Sequence, residues 1–190
     1  METASPTVAA EIPAEPTAAR VLSPSAKGGV ALVGAAAVLL CFARFGLSGH
    51  AFVGSFFAAV LVYLAAFDLE HRLIPNRVVL PATAVVLAAQ IALYPGHSVE
   101  WIVAAVGAGG FFLATLLVYP PGLGMGDVKL ALLLGAALGT NVVGAVLVGT
   151  FAAAIFGAAL VFRNGAAARK HAIAFGPFLA LGGVIALLLS

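Results

Sequence analysis

Asp68 and Asp127 are the residues of this chain best suited to chemistry, because both stand in apolar surroundings. Asp68 lies in Phe67-Asp68-Leu69-Glu70-His71-Arg72-Leu73-Ile74-Pro75-Asn76, at the end of one long apolar run. Asp127 lies in Gly124-Met125-Gly126-Asp127-Val128-Lys129, at the start of another. An ionised carboxylate near hydrocarbon is costly, so a chain with only 8% charged residues has reason to keep two only if they are used. When two carboxylates share a site their like charges cannot both ionise cheaply. One then holds the proton while the other deprotonates a water. That is the acid–base chemistry of peptide hydrolysis by an aspartic protease. The chain offers no rival Ser/His/Asp set, zinc-ligand cluster or phosphate-binding loop, and His50, His71, His97 and His171 are scattered.

The elements that must position this pair are membrane helices. Of 190 residues, 63% are hydrophobic, and the charged fraction is far below the roughly 25% of a soluble domain. Apolar runs cover about Gly28–Gly46, Ala51–Phe67, Val78–Tyr94, Trp101–Tyr119, Val128–Gly139, Val142–Phe162 and Ile173–Leu189. Most reach the ~17–25 residues that cross a bilayer as helix. The expected fold is all-α, a polytopic integral membrane bundle of about seven transmembrane helices over residues 28–190. Residues 1–27, rich in Ala, Pro and Glu, read as a disordered cytoplasmic tail. The fifth run is short, at ~18 Å for 1.5 Å per residue. A net charge of +2 gives no footprint for nucleic acid. Its distribution is more telling: Arg20/Lys27, Arg72/Arg77, Lys129 and Arg163/Arg169/Lys170 are all cytoplasmic if seven spans start from an internal N-terminus. Both aspartates then fall at the cytoplasmic face. Arg44 resists the scheme and would have to snorkel from the outer end of the first helix. The lone Cys41 allows neither an intramolecular disulfide nor a zinc pair and is expected to pack.

Each motif also has a plainer reading. Asp68 could be an interfacial acid paired with Arg72, four residues on. Pro75 stops the helix, and Asn76 can cap the next one. The stretch Pro120-Pro121-Gly122-Leu123-Gly124-Met125-Gly126 cannot continue a helix, and non-helical backbone at membrane depth is tolerated only beside protein or a watery cavity. Gly124 and Gly126 therefore belong to a candidate active-site loop, with Asp127 at a helix start whose dipole favours the anion. Lys129 could stabilise an anionic dyad or snorkel to the interface. Phe175, Gly176 and Pro177 open the last helix and could line a substrate groove, although Pro early in a helix is also ordinary capping. Gly135 and Gly139 suit close helix packing, and Thr83 and Gln90 share a face turned into the bundle.

The paired segments around Asp68 and Asp127, followed by Phe175-Gly176-Pro177-Phe178-Leu179-Ala180, resemble the type IV prepilin leader peptidases, members of the GxGD class of membrane aspartyl proteases. The resemblance runs from about Gly28 to the C-terminus. It implies that Asp68 and Asp127 are the catalytic pair, with no metal or organic cofactor. Its implied partners are type IV prepilin or pseudopilin precursors and the lipid bilayer. Their basic leader would be cut at the cytoplasmic face of the inner membrane, just before the apolar helix. The sequence carries no paired Cys-x-x-Cys motifs, so it resembles the short, peptidase-only forms without the N-terminal domain associated with N-methylation. Two alternatives share some of these features. One is an ion- or proton-coupled transporter, expected to carry acids in mid-span and matching breaks in two halves. The other is a presenilin-type protease, from which Ile74-Pro75-Asn76 sets this chain apart.

Overall fold

A computed structural model describes residues 22–120, 123–164 and 174–190 of the chain. Most of the expected tail, together with Pro121, Gly122, Arg169, Lys170 and His171, lies outside the described residues. Among the described residues seven α-helices follow one another: α1 Pro24–Phe45, α2 Gly49–His71, α3 Asn76–Leu93, α4 Ser98–Val118, α5 Met125–Leu138, α6 Val142–Asn164 and α7 Gly176–Leu189. Each corresponds to one apolar run of the sequence, and there is no strand among the described residues. The protein is an all-α, polytopic membrane bundle.

Local chemistry explains the helix ends. The hydroxyl of Ser23 accepts from the Ala26 amide, and Pro24 stands in the first turn, where its missing N–H costs nothing. This cap starts α1 ahead of the apolar run, so Lys27, counted with the tail from sequence, is helical. Ser48 caps α2 in the same way through the Ala51 amide. Among the described residues five stretches are long and apolar enough to cross a membrane: Pro24–Phe45, Gly49–His71, Asn76–Leu93, Pro95–Val118 and Met125–Arg163. The last contains α5, a three-residue 3-10 turn at Gly139–Asn141 and α6, while α7 is a shorter apolar helix.

The centre of the molecule is α5, which is buried from Leu133 through Gly139 without interruption and packs against α3, α4 and α7. Gly135 lets α4 approach closely: a Cβ there would lie 2.6 Å from the Cα of Ala105. Its expected companion, Gly139, instead ends the helix with φ 56°. Gln90 and Thr83 are buried as expected, and Gln90 donates from Nε2 to the Ala137 carbonyl across the α3–α5 contact at 2.9 Å. Arg44 has a use other than snorkelling, since its Nε donates to the Leu188 carbonyl at the end of α7, 3.2 Å away. A cation at a helix C-terminus satisfies an orphan carbonyl there. By contrast α1 is largely exposed and leans mainly on α2, and its first turn is tied down where Ser23 donates from both N and Oγ to the Glu70 carboxylate.

Candidate active site

Asp68 stands in the last turn of α2 and is 7% exposed. Its Oδ2 accepts from the amide of Gly176 at 3.1 Å, the first residue of α7 and 108 positions away in sequence. First-turn amides have no partner within their own helix, so the start of α7 supplies both a donor and a favourable dipole to the carboxylate. Gly176 has to be glycine for this contact, because a Cβ would sit 2.6 Å from that same Oδ2.

Asp127 is held by the opposite logic, from within its own helix. It occupies the first turn of α5, where Oδ2 reaches back to accept from the Gly124 amide at 2.9 Å. This is one half of a capping box, the half an acidic residue at the third helical position supplies. Each carboxylate is thus fixed through Oδ2 by a backbone amide, and neither Oδ1 takes a hydrogen bond from the described residues. Both line one cavity of about 420 Å³.

Gly124, Gly126 and Lys129 line this cavity with the two aspartates. Of the last segment, only the backbone amide of Gly176 reaches the site. Pro177 instead lines a separate apolar groove of about 570 Å³ between α1, α2 and α7. Phe175 packs inward, its ring centroid 6.4 Å from that of Phe112. Arg72 also lines the cavity, but the ion pair with Asp68 allowed by its spacing does not form. Its backbone N–H donates to the Asp68 carbonyl at 2.8 Å, and the residue turns left-handed at φ 50° to end α2.

Asn76 is the cavity residue that sequence reasoning assigned to another task. The cap position of α3 falls on Pro75, with no side-chain cap bond, and Asn76 is the first helical residue. Its Oδ1 accepts from Lys129 Nζ at 2.6 Å. Among the described residues Lys129 forms no ion pair with a carboxylate. Among the described residues, no three His, Cys, Asp or Glu side chains converge in a way that could hold a metal ion.

The fold and the cavity together define a polytopic helical membrane protein in which two carboxylates, carried by separate helices, face one cavity. Its kinship is specific: the profile of the type IV leader peptidase family matches residues 55–162, more than half of the chain, and the protein belongs to that family. Relatives include the prepilin leader peptidase/N-methyltransferase of Bacillus subtilis (strain 168), 33% identical over 153 residues, covering 76% of this chain and 58% of the relative. The prepilin leader peptidase/N-methyltransferase of Xanthomonas campestris pv. campestris is 31% identical over 154 residues, covering 76% and 53%. That of Aeromonas salmonicida (strain A449) is 36% identical over 142 residues, covering 68% and 46%. The chain thus spans about half the length of these relatives. No solved structure matches it.

Proposed function

We propose that the protein is an aspartic endopeptidase that removes the basic leader from type IV prepilin-like precursors at the cytoplasmic face of the inner membrane. The observation that carries this reading is the convergence of Asp68 and Asp127 on one cavity, each with one oxygen anchored and the other unengaged among the described residues. Family membership weighs in the same direction, and against the coupled transport that intramembrane acids alone would allow.

In the proposed reaction the ionised carboxylate takes a proton from a water, and the water oxygen attacks the scissile carbonyl. The partner carboxylic acid gives its proton to the carbonyl oxygen, forming a neutral tetrahedral diol. Collapse of the diol breaks the C–N bond: one diol hydroxyl returns its proton to the partner carboxylate, and the leaving amine takes up the proton first removed from water. No step calls for a cofactor. The anchored Oδ2 atoms hold the two unengaged oxygens in place while protons move, which lowers the reorganisation needed at the moment of reaction.

The test is removal of charge at nearly constant size. Asp68→Asn and Asp127→Asn should each lower cleavage of a co-expressed prepilin by at least about a hundredfold, the scale of general acid–base catalysis, while the protein remains in the membrane. Processing at the parental rate by both variants, read by mobility on a gel, would defeat the assignment.

A further inference from the structure

We infer that Lys129 is a positioning residue that acts through Asn76 to set the separation of the two carboxylates. This rests on the catalytic reading of Asp68 and Asp127 given above. The carboxylates belong to different parts of the chain, and two contacts close the space between those parts. The first is apolar: Ile74, in the link between α2 and α3, packs on Gly126, where a Cβ would lie 3.1 Å from the Ile74 Cβ. The second is the 2.6 Å hydrogen bond from Lys129 Nζ to Asn76 Oδ1. Among the described residues it is the one side-chain hydrogen bond that ties the start of α3 to the first turns of α5.

Both ends of this bond are coupled stiffly to a carboxylate. Lys129 is two residues from Asp127 on the same helix. Asn76 is joined to Asp68 by a short link with two constrained points, the left-handed Arg72 and the extended Pro75 at φ −71° and ψ 121°. A shift of Asn76 therefore moves the end of α2 with it. Packing of Ile74 on Gly126 limits how near the segments come, and the ammonium–amide bond limits how far they part. The choice of partner fits the task. A neutral Asn holds the ammonium without adding a further negative charge beside the two carboxyl groups, which an acidic partner would do. Lys129 makes no ion pair among the described residues, so its charge is not spent on either aspartate.

The experiment is a double-mutant cycle on the full chain in phospholipid nanodiscs, with a synthetic peptide bearing a basic leader, a Gly-Phe junction and an apolar helix. Lys129→Met and Asn76→Ala should each lower kcat about tenfold with KM little changed, since loss of alignment costs rate more than binding. The double variant should be no slower than either single one, and Lys129→Arg should recover most of the rate. A second readout needs no activity. In a Cys41→Ala background, an Ile74→Cys/Gly126→Cys pair should form its disulfide more slowly when Lys129→Met or Asn76→Ala is added, and no more slowly with both. Additive losses, or a loss with Lys129→Met alone while Asn76→Ala is silent, would overturn the inference. So would unchanged cross-linking. If Asp68→Asn and Asp127→Asn proved active, the catalytic reading would fall, and the cross-linking rates alone would decide the role of Lys129.

Discussion

Gly176 has no side chain, yet it is the residue that fixes one of the two carboxylates. Its amide donates to Asp68, and its missing Cβ leaves the space that Asp68 Oδ2 fills. Gly176→Ala should therefore displace the carboxylate and lower kcat by about a hundredfold, the cost of a misplacement near 1 Å. Purified protein assayed for rate and for melting in detergent would check this; a parental rate in the variant would show that Asp68 needs no such anchor. The two aspartates were legible in sequence because a carboxylate beside an apolar run is conspicuous there. The anchors were harder to read. The Gly176 contact joins residues 108 positions apart, and the Lys129–Asn76 bond joins residues 53 apart. Such pairings leave no local mark, so Asn76 looked like a cap, and nothing in Phe175-Gly176-Pro177 showed that the backbone amide of Gly176 would hold Asp68. The left-handed turn at Arg72 was hidden for a related reason, since nothing in the residue type announces it.

At the scale of elements, the seven apolar runs predicted the seven helices because burial in a membrane bundle demands long apolar stretches, whatever their partners. The ends were less predictable, being set by single caps such as Ser23 and by the Gly139–Asn141 turn. The helix that matters most is α5, shielded along much of its length and closely approached by α4 at Gly135. Gly135→Val should push α4 and α5 apart and cost about 1–3 kcal/mol, the usual price of overpacking. The expected sign is a lower melting temperature together with slower cleavage, because Asp127 rides on the same helix. Unchanged melting would mean that α4 can yield at this contact without loss. Glu70 offers a contrast, since it lies on the α1 side of α2 and takes Ser23 as its partner. Glu70→Gln should keep most of the activity, measured with the same precursor, as its carboxylate lies outside the cavity.

For the whole molecule, the proposed topology makes a prediction about which bond is cut. A basic leader that stays in the cytoplasm and an apolar helix that enters the bilayer place the junction at one depth, that of Asp68 and Asp127. Moving the junction several residues into the apolar helix should abolish cleavage, whereas exchanging Lys for Arg in the leader should matter little. Equal processing of shifted and unshifted precursors, confirmed by N-terminal sequencing, would show that depth does not select the bond. The helix lengths carry one more consequence. The helix that bears Asp127 and the helix that anchors Asp68 have 14 residues each, about 21 Å at 1.5 Å per residue. A typical hydrocarbon core is about 30 Å thick. Two short helices whose first turns both border the site would leave the lipid there thinned or replaced by water, and water is the co-substrate of the proposed reaction. Thickness of the host membrane then becomes a control on turnover: in bilayers of phosphatidylcholine, lengthening the acyl chains should slow cleavage, because a thicker core opposes the hollow that wets the carboxylates.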